Sequence, residues 1–323
     1  MKIGMAHEWP ELLEQWITHY RSFSADGKPA SYIPALAQAN PSHLGVYIIG
    51  ADGTNMKAGD WDVTFTMQSI SKVISFVAVC LEMGIDKVTE WVDMEPTGDA
   101  FNSISRLEEN WPGKPFNPLI NAGAITVASL LPGNNPEEKV EVVLDLLEKI
   151  VGQRLPINKQ IYQSEWESAH RNRAIAHYVK EAGFLNGSVD EALECYFKLC
   201  SIELNTEQLA MISLVLAADG VHPLREQTII PVQIARISKA LMLTCGMYNA
   251  SGKFAAFVGV PAKSGVSGGI MAAVPARNRS RILPFQNGCG IGIYGPAIDK
   301  YGNSLSGSML LQHIANEWDL NIF

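Results

Sequence analysis

The sequence predicts an α+β fold in which an antiparallel sheet, built from strands at both ends of the chain and flanked by helices, carries an inserted all-helical lobe. Three observations carry this expectation. Apolar segments of strand length, bounded by turn residues, lie before residue 68 and return after residue 253. The stretch between them shows apolar stripes of helical period with capping residues at their starts. The regular strand-helix alternation of a parallel sheet is missing. With 323 residues, 47% of them hydrophobic, the chain can bury a large core as one domain of two intimate lobes. The element order divides it into a sheet-containing lobe, 1–68 plus 226–323, and a helical lobe, 69–225.

Taken in order, "LGVYIIG" (44–50) reads as a strand, Asp52-Gly53 as its turn, and "NMKAGD" as the start of the return strand. Val63, Phe65 and Met67 alternate with polar residues, the period of a half-buried strand. From Ile70 to Met83 the chain is apolar almost all round, which marks a core helix. The segment 134–152 is signposted as a helix at both ends: Asn135 as N-cap, Pro136 in the first turn, Glu137 and Glu138 at the positive dipole end, and Gly152 after the last turn. Three further helix starts carry capping-box spacing, Ser164 with Glu167, Ser188 with Glu191, and the looser Asn205 with Gln208. "KFAAFVGVPAKSGVSGGIMAAVP" (253–275) and "GCGIGIYG" (288–295) have strand-like lengths punctuated by Gly and Pro, and an amphipathic helix at 305–318 closes the chain.

Composition excludes several classes. A formal charge of −8 offers no electrostatic footprint for nucleic acid or anionic lipid. No apolar run approaches a membrane span, and the charged N-terminal stretch has no secretory h-region, so a cytoplasmic protein is expected. The cysteines, Cys80, Cys195, Cys200, Cys245 and Cys289, are odd in number and form no C-x-x-C pair; neither a disulfide framework nor a metal site is suggested. His170 and His177 share a helix face without a ligand spacing. "GIGIYG" (290–295) fits G-x-G-x-x-G by letter, but Pro296 follows and no helix opens there, so it does not read as a dinucleotide loop.

The chemistry points to "QSISKV" (68–73), at the mouth of the core helix. Read as structure alone it is a Ser-capped helix start, and Ser-x-x-Lys by itself is weak, with roughly one expected by chance in a chain of this length. Its placement adds weight. Ser69 and Lys72 are one turn apart on a helix whose first turn must lie near the interior, where lost hydration lowers a lysine pKa and makes the neutral amine accessible as a base. That activates a serine without histidine, and the helix N-terminus supplies N–H groups for a developing oxyanion. A second element, Lys263-Ser264-Gly265, has the form of the Lys-Thr-Gly strand that accompanies Ser-x-x-Lys in the penicillin-recognising serine enzymes.

Longer blocks then make a resemblance specific: "YIPALAQANP" (32–41), "QSISKV", "FNPLINAGAI" (116–125), "SEWESAHRNRAIAHY" (164–178), "YFKLCSIEL" (196–204), "CGMYNASGKFAAFVGVPAKSGVSGGI" (245–270) and "DKYGNSLSG" (299–307). In this order, across nearly the whole chain, the sequence resembles the glutaminase family, serine-dependent enzymes that hydrolyse L-glutamine to L-glutamate and ammonia on a β-lactamase-like, penicillin-binding-like fold. The absence of Ser-Asp-Asn departs from the lactamases. The resemblance implies Ser69 as nucleophile, with Lys72 and Tyr248 as proton carriers, either of which could be the primary base. It implies the N–H groups of Ser69 and Val266 as oxyanion donors, and Glu165 as partner of the substrate ammonium. Asn121, Asn172, Tyr196 and Tyr32 complete the implied hydrogen-bonding wall. Each also has a structural reading: Asn121 as a helix cap, Tyr196 as a core aromatic, Glu165 as a dipole partner. Glu165 and Asn172 lie seven apart, two helical turns, so both can face one pocket. No cofactor is implied; a homo-oligomer, favourably a tetramer, is. The rivals are a serine amidase or esterase acting on a peptide or ester, and a scaffold that kept the fold without the chemistry.

Overall fold

The computed structural model describes residues 9–109, 111–278 and 283–323, so residues 1–8 of the charged N-terminal stretch lie outside the described residues. The chain opens with helix α1 (Trp9–Arg21), which buries Leu13 and Ile17, one turn apart. The sequence reading had placed no helix there. The hairpin β1 (Gly45–Gly50) and β2 (Asn55–Gly59) follows, and the short β3 (Phe65–Thr66) ends the segment. The helices α2 (Ser71–Met83), α3 (Ile85–Trp91), α4 (Ser105–Glu109), α5 (Asn121–Leu130) and α6 (Pro136–Val151) come next. They lead into α7 (Lys159–Ser168), α8 (His170–Glu181), α9 (Val189–Cys200), β4 (Glu203–Leu204) and α10 (Thr206–Ala217). A small hairpin, β5 (Val221–His222) and β6 (Gln227–Thr228), precedes α11 (Val232–Cys245) and α12 (Ser251–Phe257). The strands β7 (Ala262–Ser264), β8 (Gly269–Val274) and β9 (Cys289–Tyr294), then α13 (Leu305–Glu317), complete the chain.

Strands from both chain ends join one antiparallel five-stranded sheet in the order β2-β1-β9-β8-β7, with Val46 opposite Ile293 and Ile270 opposite Ile293 across the two central pairings. The α+β expectation holds. One sheet face packs on α1 and α13 through Leu13, Ile17, Ile48, Ile291, Leu311 and Trp318. The other receives α10, and here the glycines of "GIGIYG" are explained: a Cβ at Gly290 would sit 2.0 Å from Ala210 O, and one at Gly292 2.1 Å from Thr206 O. Those glycines let a helix backbone lie directly on the strand. Beyond α10, α2 forms the spine of the helical core, with Ser71 to Cys80 buried without interruption among α5, α6, α9 and α11.

Four local expectations are corrected. The alternating run at 63–67 yields only Phe65–Thr66, which pairs with β4 instead of entering the main sheet. Ser164 does not start a helix: Asn158 caps α7, accepting from Ile161 N–H, and Ser164 Oγ accepts instead from Ala35 N–H at 3.2 Å. "KFAAF" is helical, inside α12, not a strand. Glu165 and Asn172 sit on separate helices, because the chain breaks at Ala169 (φ −82°, ψ 34°) between α7 and α8. The looser capping match is the complete one, since Asn205 and Gln208 close both bonds of the box. Asn135 and Gly152 cap α6 as expected, Gly152 with φ +84°.

Candidate active site

Ser69 belongs to a short 3₁₀ turn, Gln68–Ile70, that joins β3 to α2, and it is not the helix cap. Gln68 is held at φ +47°, a conformation that costs a non-glycine residue about 1–3 kcal/mol. The surroundings enforce it: the Gln68 amide donates to Cys200 O at 3.4 Å, and the Ser71 hydroxyl donates to Gln68 O at 2.8 Å. This sharp turn presents Ser69 to a cavity of about 350 Å³. Tyr32, Gln68, Asn121, Glu165, Asn172 and Tyr196 line the same cavity, so residues from α2's entry turn, α5, α7, α8, α9 and the N-terminal segment converge on one space. Phe101, Asn102 and Arg171, which sequence reasoning did not single out, complete its rim, where Arg171 Nε donates to Asn102 O at 2.7 Å.

Lys72 is 1% exposed and does not itself line the cavity. Its Nζ donates to Asn121 Oδ1 at 2.6 Å and Leu119 O at 3.3 Å, and Asn121 in turn donates to Asn172 Oδ1 at 2.8 Å. Asn121 therefore does not cap α5; its side chain couples lysine to the pocket wall. Burial pulls the Lys72 pKa down to about 8 against the opposing fields of Cys200 and Glu165. Two acceptors use two N–H bonds, so the neutral amine is fully satisfied and keeps one lone pair. Glu165 mirrors this: burial pushes its carboxyl up to about 8, opposed by Lys72 and Gln68, and its Oε2 is buried with no hydrogen-bond partner. A buried acceptor left open on a cavity wall invites a cation from the cavity.

Tyr248 and Val266, packed in one apolar cluster with Ile33, do not line this cavity. Tyr248, at φ +51°, begins the turn after α11, which stops at Gly246. Its ring packs on Phe101 with centroids 4.7 Å apart, and Lys263 Nζ sits 4.4 Å from the ring centroid. Burial raises the Tyr248 phenol, and hydrogen bonding from Ser69 and Ser264 pulls part of the way back. Oη itself is buried with no hydrogen-bond partner; such contacts commonly shorten only around substrate. Lys263 is wholly buried on β7, donates to Ser264 O at 2.5 Å, and is shifted well below the usual lysine range, first by burial and then by the Lys72 charge. Val266 lies in the Gly265–Gly268 loop between β7 and β8 and lines a different cavity, of about 440 Å³. Tyr32 is 57% exposed as a residue, yet its hydroxyl end is enclosed and its pKa raised by burial, with Tyr248 and Glu165 adding to the rise.

A sequence model of the glutaminase family matches residues 27–323. The chain belongs to the glutaminase family. It is 64% identical over 311 residues to glutaminase 2 of Bacillus anthracis, covering 96% of this chain and 95% of that one. Glutaminase 1 of Bacillus subtilis is 61% identical over 311 residues, with the same coverage. Among solved structures, a probable glutaminase of Bacillus subtilis superposes with a TM-score of 0.92 at 59% identity, covering 97% of each chain. Another, the Bacillus subtilis glutaminase in covalent complex with 5-oxo-L-norleucine formed by reaction with 6-diazo-5-oxo-L-norleucine, superposes with a TM-score of 0.89 at 55% identity, over 97% of this chain and 99% of that one. Glutaminase relatives thus share the whole described fold, sheet and helical insertion together. Among the described residues no helix is long and apolar enough to cross a membrane, although one bent pair, Gln68–Met83 with Ile85–Trp91, passes by length and composition.

Proposed function

We propose that the chain hydrolyses the side-chain amide of L-glutamine to L-glutamate and ammonia through a Ser69 acyl-enzyme. One arrangement carries this reading: a serine on a strained turn opens into a cavity whose wall holds a buried, unpartnered carboxylate, above a lysine whose pKa is lowered to about 8. Glutamine fits both ends. Its ammonium meets Glu165 Oε2, its carboxylate the hydrogen-bonding groups of Tyr32 and Asn172, and its amide carbon faces Ser69.

In acylation, Ser69 Oγ attacks the amide carbon as neutral Lys72 takes the hydroxyl proton. The Ser69 and Val266 N–H groups receive the oxyanion. Tyr248, too strongly raised to accept a proton near neutrality, gives one to the departing nitrogen. The Lys72 ammonium then restores it, so the serine proton leaves, in net terms, with ammonia. Water attacks the γ-glutamyl ester by the reverse path and releases glutamate and free Ser69. No step calls for a metal or cofactor. On this reading one lobe supplies Ser69 and Lys72 and the other Tyr248 and Val266. A homotetramer and a cytoplasmic location complete the reading, supported by the family resemblance.

The test is ammonia release from L-glutamine, D-glutamine and L-asparagine. L-Glutamine is expected to be strongly preferred, because asparagine, anchored at Glu165, falls about 1 Å short of Ser69, a misplacement worth about 10²-fold. Ser69→Ala is expected to abolish release and to block the mass increment left by 6-diazo-5-oxo-L-norleucine. An adduct on a different residue would move the chemistry elsewhere. Full turnover by Glu165→Gln would favour the peptide or ester amidase instead.

A further inference from the structure

Lys72 is seated by a turn that opens with Asn117, a residue with no part in the chemistry above. Asn117 and Pro118 start the turn that enters α5, Asn at its first position and Pro at its second. Asn117 is 1% exposed. Its Oδ1 accepts from Leu119 N–H at 3.0 Å and from Ile120 N–H at 3.1 Å, while its Nδ2 donates to Glu95 O at 2.8 Å. A backbone N–H can only donate and a carbonyl can only accept, so these partners settle which end of the amide faces which way. The turn also folds back against α5, where a Cβ on Gly123 would sit 2.0 Å from Asn117 O. The residues it positions meet Lys72: Nζ donates to Leu119 O at 3.3 Å and to Asn121 Oδ1 at 2.6 Å. Among the described residues, Nζ has these two hydrogen-bond acceptors, and both come from within four residues of Asn117.

We propose that Asn117 is a positioning residue for Lys72: by holding Leu119 and Ile120 through their N–H groups, it sets the Leu119 carbonyl and the Asn121 side chain where they seat the amine that takes the Ser69 proton. The inference rests on the acyl-enzyme reading above. Lys72 stands on α2, and its two acceptors lie 47 and 49 residues further along the chain, so the turn and not its own helix fixes the amine. The titratable groups facing Lys72 are Glu165 from α7, Tyr196 and Cys200 from α9, and Lys263 from β7. None of them accepts a hydrogen bond from Nζ among the described residues. A hydrogen-bond acceptor favours the ammonium over the neutral amine. If the turn slackens and Leu119 O moves away, the Lys72 pKa therefore falls further, and the amine loses its seat.

The test follows kcat for L-glutamine against pH. This constant reports groups in the substrate complex, where the substrate ammonium keeps Glu165 ionised and Lys72 alone of the pair titrates. Asn117→Ala is expected to lower the high-pH plateau about 10–10²-fold, as a misplaced base does. It is also expected to move the midpoint down by about one pH unit, the preference of one acceptor for ammonium over amine. Asn117→Ser keeps an acceptor for the Leu119 N–H and drops the amide that meets Glu95; its plateau is expected to stay within about 3-fold of the unaltered enzyme. An Asn117→Ala plateau lowered with the midpoint unmoved would show a general loss of structure and overturn the inference, as would an Asn117→Ser plateau equally low. Should Asn117→Ala not fold, Asn117→Ser decides alone, and a plateau more than about 3-fold down overturns it. Ammonia release surviving Ser69→Ala would instead sink the acyl-enzyme reading; an essential Ser69 with an unmoved midpoint sinks only the role of Asn117.

Discussion

At Lys72 and Glu165, burial favours the neutral forms of both side chains and moves each toward about pH 8 from opposite sides. On the proposed mechanism both need high pH to act, Lys72 as amine and Glu165 as carboxylate. We therefore expect kcat/KM of the free enzyme to rise with pH and to reach half its maximum near pH 8, the two groups titrating as a coupled pair. A pH-rate profile flat from 6 to 9 would contradict it. Glu165 also makes a stability statement. Its folded-state pKa is raised, so the native state holds the proton longer than the unfolded chain; the associated stability is intact below the ordinary carboxylate range and is lost as pH rises through about 8. Glu165→Gln, which removes the cost, is expected to stabilise the fold by on the order of 2 kcal/mol at pH 8.5 and by little at pH 4, read as melting temperature at the two pH values, while losing activity. Ser69, Lys72 and Glu165 were legible in the sequence, because Ser-x-x-Lys before an apolar run and a family block name them. Gln68 and Asn117 were not. A strained φ and a two-sided amide tie are properties of neighbours that the sequence does not place.

Among the elements, the turn before α2 and the seam between α10 and β9 do most to position the site. The seam depends on missing side chains. Gly290→Ala forces a methyl against the Ala210 carbonyl and Leu214 N, both backbone atoms that cannot yield, and is expected to destabilise by about 3 kcal/mol or more. Gly252→Ala, inside α12 with open space around it, is the control, expected to gain about 0.5–1 kcal/mol through helix propensity. Urea midpoints of the two variants moving in the same direction would refute the packing argument. Capped helices were readable because a cap is a local signal: Asn135, Gly152, Ser188 and Asn205 each act within four residues of themselves. The helix at 9–21, the helical state of "KFAAF" and the break at Ala169 were missed. The first does carry a helical signal, Leu13 and Ile17 one turn apart in an otherwise polar stretch; in the second, packing against the rest of the fold decides the state of a short apolar segment; in the third, no Gly or Pro announces the interruption.

For the molecule as a whole, Lys72 sits on the helical core's spine and Ser69 in the turn leading into it, while Lys263, Ser264 and Val266 come from the edge strand β7 and the loop after it. On the proposed mechanism catalysis needs only side chains and backbone N–H groups. Exhaustive dialysis against a chelator is expected to leave kcat unchanged; recovery of lost activity by an added divalent cation would revise the chemistry. By itself the sequence determined the fold class, the union of terminal strands in one sheet and the family, since these follow from periodicity, caps and long ordered blocks. Tertiary structure alone decided the ionisation of Lys72 and Glu165, the open carboxylate oxygen on the pocket wall and the tie through Asn117. Those depend on which distant segments exclude water and which donors meet which acceptors, and both arise only when residues far apart in the chain are brought within hydrogen-bonding distance.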